Sequence, residues 1–130
     1  MRRAEIVARA RACIGARFRP QGRAPALGLD CIGLAAHATG RPAPSGYGLR
    51  GHDPARLARG LAAAGLHAID AAAAAPGDLL LVAAGPAQLH LLVRTPDGFV
   101  HADAGLRRVV EVPGAPRWPL LGAWRAAREA

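Results

Sequence analysis

The chain has 130 residues and a mass of 13.4 kDa, the size of one domain, and residues 1–130 read as a single unit. Hydrophobic residues make up 52% and aromatic residues only 4%, so the core must be built from Leu, Val, Ile and Ala, and charged residues, at 20%, are too few for a disordered chain. The net charge is +8 and every basic residue is Arg, which suits an anionic partner, but no aromatic residues interleave with the Arg and no nucleic-acid motif accompanies them, so nucleic acid is not an expected partner.

Along the chain, residues 4–14 place Ile6, Val7, Ala10, Cys13 and Ile14 at helical spacing, with Gly15 as a stop. Arg recurs every few residues there, which is unlike a secretory leader, so synthesis in the cytoplasm is expected. Residues 15–29, rich in Gly, Pro and Arg, read as an ordered loop. Asp30 can cap a helix from about Cys31 to Thr39, and Gly40 can end it. Residues 41–53 read as a long loop, with His52 exposed in it. Asp53-Pro54 opens a helix through about Ala64. His67 reads as exposed, and the Ala71–Ala75 run as a linker or helix end.

The pattern then changes. Pro76-Gly77 is a turn, and short strands follow at Asp78–Val82, Leu89–Thr95, Phe99–Ala102, Arg108–Val112 and near Leu121–Arg125. Helices first and a meander of strands afterwards predict an α+β fold with an antiparallel sheet of about five strands. No apolar run reaches 18 residues, so neither a membrane-spanning helix nor a membrane partner is expected.

Two cysteines make no disulfide framework and no CxxC pair. Cys31 falls in the first turn of its helix, where unpaired N–H groups and the dipole favour an anion. A thiol so placed is expected to have a lowered pKa, especially beside a histidine. A cysteine is nonetheless more often a small buried apolar residue, and Cys13, inside an amphipathic helix, reads that way.

His90 and His101 flank a turn. A loop of two or four residues centred on Pro96-Asp97 would put His101 opposite Leu92, with His90 diagonal to it on the same sheet face. A three-residue loop would separate them. One imidazole could then serve a thiol as base while the second orients it, or both could be ordinary strand histidines. The Cys and His residues fall in no zinc-ligand spacing, and no metal or other cofactor is implied. Ser45, the only Ser, lies in a Pro/Gly loop and is a poor nucleophile candidate.

The order of pieces, LDCIGL opening a helix, then PGDLLLV, LHLLVRT and FVHADA, resembles the NlpC/P60 cysteine peptidases, over residues 5–125. The resemblance implies a papain-like α+β fold with N-terminal helices on a central antiparallel sheet. It assigns the nucleophile to Cys31, the base to His90 and the orienting residue to His101. It implies amide hydrolysis in peptidoglycan stem peptides, commonly between γ-D-glutamyl and a diamino acid. Asp30, Phe18 and Arg23 are expected on the substrate side, and Arg17, Arg19 or Arg23 could meet stem-peptide carboxylates. Phe18 stands where the family often has a Tyr, and Leu92 where it often has a Gly. Leaderless members suggest carriage to the wall by phage-tail or gene-transfer-agent proteins, and a catalytically silent tail or baseplate component is the alternative.

Overall fold

The computed structural model describes residues 1–43 and 53–126; Ser45 and His52 lie outside them. Helix α1 (Arg3–Ala12) buries Ile6, Val7 and Ala10. Two residues on each side, β1 (Arg23–Ala24) and β2 (Gly28–Leu29), pair antiparallel within the segment expected to be loop. Helix α2 (Cys31–Thr39) has the bounds the sequence predicts. Asp30 Oδ1 accepts from the Gly33 amide at 2.8 Å. Gly40 takes the left-handed conformation, φ 67°, that closes the helix without a Cβ clash. Helix α3 (Pro54–Ala63) starts at the Asp53 cap and buries Leu57 and Leu61.

A short strand, β3 (His67–Ile69), and a 3-10 turn (Ala71–Ala73) precede the main strands. These are β4 (Leu79–Gly85), β5 (Gln88–Arg94), β6 (Gly98–Asp103), β7 (Arg108–Pro113) and β8 (Leu120–Arg125). The sheet has six strands in the order β3-β8-β4-β5-β6-β7, one more than expected. The extra strand is β3. Three residues carry too little alternation to be read from sequence, and pairing with β8 is what makes them a strand.

Strand alternation divides the core in two. Leu79, Leu81, Leu89, Leu91, Val93 and Val100 face the helices and join one large cluster with Ile6, Leu34 and Cys31. Leu80, Val82, Leu92, Phe99 and Ala123 form a smaller cluster on the other face, flanked by Ile69, Val112 and Trp118. Asp78, wholly buried, is held there by Arg125 through two contacts, Nε to Oδ1 at 3.0 Å and Nη2 to Oδ2 at 2.8 Å. On the helix side, Arg11 grips Glu111 with two hydrogen bonds of 3.0 and 2.9 Å and ties α1 to β7.

Candidate functional site

The site forms where two neighbouring strands part. The β5–β6 ladder pairs only Val93 with Val100 and Arg94 with Phe99. This is the register that a two-residue loop at Pro96-Asp97 requires. Towards Gln88, β5 stays paired with β4 alone. The Thr95 amide donates to Gly98 across the hairpin, and the Arg94 amide donates to Asp78 on the β4 side. By alternation, the Leu91 amide points to the β6 side, beyond the end of the ladder. Its N–H favours the Cys31 thiolate.

Cys31 reaches that opening from the first turn of α2. It is 1% exposed. The N–H groups of Ile32 and of Cys31 itself also favour its thiolate. Burial outweighs them and pushes the thiol up to about 12, with the Asp30 carboxylate acting in the same direction. The expectation of a lowered pKa at this helix start is therefore corrected. The helix terminus is present, but desolvation of the thiolate costs more than the terminus returns.

The two histidines meet as the register requires. His90 Nε2 and His101 Nδ1 lie 2.8 Å apart, one ring N–H donating to the other ring's lone pair. Burial brings His90 down to about 4, helped by the neighbouring His101 and opposed by Asp103. Burial also lowers His101, again against Asp103. Asp103 Oδ1 accepts from the amides of Gly105 at 2.8 Å and Leu106 at 3.2 Å, which fixes the carboxylate. Its Oδ2 stands 3.8 Å from His101 Nε2. His90, His101 and Asp103 thus form a row. Trp118 packs edge-on over it, with ring centres 5.8 Å from His90 and 5.9 Å from His101.

His90, His101 and Asp103 line a cleft of about 190 Å³ whose walls also include Phe18, Gln88 and Trp118, and Cys31 is not among its lining residues. The thiol lies on the helix side of the opening and the imidazoles on the other face. Cys31 makes no hydrogen bond to either imidazole among the described residues. Chemically, the row can pass a proton along His90, His101 and Asp103, and the helix start can hold an oxyanion.

Asp30 and Arg23 meet each other beside the start of α2. Asp30 is 1% exposed. Its oxygens accept from Gly33, from the Gln21 amide at 3.0 Å and from Arg23 Nη1 at 3.1 Å. Both residues hold the segment before α2 in place, and neither lines the cleft. Phe18 does line it, and contributes a ring without a hydroxyl. Cys13 is buried on the helix side, and its thiol too is raised by burial. His67 is exposed as expected.

Sequence reasoning missed Asp103, Trp118 and the Leu91 amide. The signal for Asp103 was present: Asp followed by Ala-Gly favours an Asx turn. Nothing local marks Trp118 or Leu91, because both act through pairings distant in sequence.

No family model matches the sequence, and no curated protein matches it. Solved structures do. The chain matches the NlpC/P60 domain of the peptidoglycan hydrolase SagA with a TM-score of 0.59 and 24% identity, covering 87% of this chain and 90% of that one. It matches NlpC2 from Trichomonas vaginalis at 0.72 and 18%, covering 98% of this chain and 48% of the other. It matches an NlpC/P60 family protein from Bacillus cereus at 0.67 and 20%, covering 95% and 39%. The chain spans less than half the length of these last two. It has the α+β fold of NlpC/P60 domains.

Proposed function

We propose that this chain is a cysteine peptidase that hydrolyses amide bonds in peptidoglycan stem peptides, at the γ-D-glutamyl–diamino acid bond. The observation that carries the reading is the His90–His101 pair at 2.8 Å, set beside the opening into which α2 delivers Cys31. The likeness to NlpC/P60 domains, one of them in a peptidoglycan hydrolase, supports it.

In this mechanism Cys31 Sγ attacks the carbonyl carbon, and its proton passes to His90 as the C–S bond forms. The N–H groups of Cys31 and Ile32 steady the oxyanion. His90, oriented by His101, gives the proton to the leaving amine, and water then releases the acyl group from sulfur. The resting pair is a neutral thiol and a neutral imidazole, so the proton moves during attack.

Digestion of purified sacculi, read by chromatography and mass spectrometry, tests the proposal. The expected result is new free amines on the diamino acid with wild type and none with Cys31→Ala. No cleavage by wild type would overturn it. A catalytically silent phage-tail or baseplate component is the second reading. It is favoured by the buried thiol's lack of a hydrogen bond to an imidazole.

A further inference from the structure

Moving a proton from Cys31 to His90 calls for no tryptophan, yet the loop between β7 and β8 holds Trp118 firmly against the histidines. Trp118 precedes Pro119, which biases its backbone towards the extended region and fixes the next φ. The Pro119 carbonyl accepts from the Ala83 amide at 3.0 Å, which ties the loop to β4. The β4–β8 register then shifts, with Val82 opposite Leu120 and Leu81 opposite Gly122, so β8 carries one extra residue just after the loop. Such a bulge re-aims the chain beside it.

Between these anchors the indole is half-buried. It packs on the small cluster of the thinner face and also lines the cleft. A ring serving that cluster alone would sit closest to Phe99. Instead the Phe99 ring centre is 6.4 Å away, while those of His90 and His101 are 5.8 and 5.9 Å away. The indole plane stands at 86° to His90 and 64° to His101. It thus makes edge contacts with both partners of one hydrogen bond, and contacts of this kind hold aromatic rings at set angles.

That bond joins two neutral rings. Where water reaches such a bond, water competes for the same donors and acceptors and little is gained. Kept dry, the bond is stronger and fixes the protons it holds. The direction of the bond matters too. His90 Nε2 is used by His101 Nδ1, so only His90 Nδ1 is left to take a proton from a thiol. Nδ1 is open for this when the shared proton sits on His90 Nε2. His101 then carries its own proton on Nε2, the nitrogen on the Asp103 side.

We propose that Trp118 is a positioning residue: its indole keeps the water of the cleft off the His90–His101 hydrogen bond and holds both rings in the tautomers that leave His90 Nδ1 open to the thiol's proton. The catalytic consequence rests on the peptidase reading, and the shielding does not.

The test follows the shared proton and the reaction separately. Imidazole nitrogen and N–H NMR spectra are recorded at neutral pH for the full chain as wild type, Trp118→Phe and Trp118→Met. Ile69→Ala is the control, because it thins the same face without removing a ring from the histidines. In wild type the expected spectrum shows one tautomer for each of the two imidazoles and a shared N–H that exchanges with water slowly enough to observe. Trp118→Phe keeps that signal, Trp118→Met loses it and mixes the tautomers, and Ile69→Ala leaves it in place. In sacculus hydrolysis, Trp118→Met lowers kcat about tenfold with KM little changed, and Trp118→Phe restores most of the rate. Thermal melts verify that each variant is folded. The proposal is overturned if the wild-type N–H exchanges as freely as that of an exposed imidazole, a result that needs no variant to fold. It is equally overturned if the signal survives Trp118→Met, if Ile69→Ala removes it, or if the rate loss lies in KM alone. Wild type that leaves sacculi intact while the signal behaves as expected removes the peptidase reading and keeps the shielded pair. Cleavage with an unshielded pair does the reverse.

Discussion

The two faces of the sheet are held by different means. The helix-covered face has a large apolar core: Ile6, Leu34, Leu91 and Val100 are completely or almost completely buried, and Cys31 is packed among them. The other face has a core of five buried residues, partly covered by Trp118, and is fastened by the buried Asp78–Arg125 pair. The first face can place a nucleophile accurately but strips it of water, and the thiol is raised accordingly. The second holds imidazoles at the wall of a cleft, near enough to solvent to exchange protons. The proposed chemistry needs both, and they meet only where β5 and β6 part.

The largest effect expected is on catalysis. Cys31→Ala lowers the rate of sacculus hydrolysis by about 10⁴-fold or more, with the fold intact. Activity that survives this change would place the nucleophile outside the helix face.

Stability gives the next contrast. Leu34→Ala, in the large cluster, costs about 3 kcal/mol. Ile69→Ala, half-buried at the thinner face, costs about 1 kcal/mol. Urea midpoints measure both, and equal losses would erase the distinction between the faces.

Acid sharpens the comparison. His90 is held near 4 when folded, below its ordinary value near 6.5. The unfolded chain therefore binds the proton first, and stability falls as pH drops from about 6.5 through about 4. The loss from this group is about 3 kcal/mol, and His90→Gln flattens it in pH-dependent denaturation.

The smallest effect is at Asp103. Asp103→Asn lowers kcat by about tenfold with KM little changed, the size of one positioning contact. It also moves the acidic limb of the rate profile downward, since Asp103 raises both imidazoles. An unmoved limb would reduce Asp103 to a turn residue.

Much of this frame was legible in the sequence. Asp30 and Gly40 bracket α2 because a cap and a left-handed terminus are chemical requirements local to a few residues. The His90–His101 contact followed from hairpin register, which a two-residue loop fixes. Other features depend on the assembled sheet. The thiol's raised pKa comes from burial against β5, which no local pattern reports. Asp30 was read as a cap and also placed near substrate, and only the Arg23 and Gln21 contacts show the carboxylate fully used. Strand β3 exists because β8 offers it an edge.

The Leu91 amide has a consequence of its own. It stands close enough to the sulfur to favour the thiolate, so its proton is a resident spectroscopic probe of the thiol. Covalent capping of Cys31 changes the group beside this amide, and the Leu91 resonance shifts. Neighbouring amides bonded to β4, such as that of Leu92, stay as they were. A single backbone signal then follows the state of the cysteine in real time, with no label attached to the cleft.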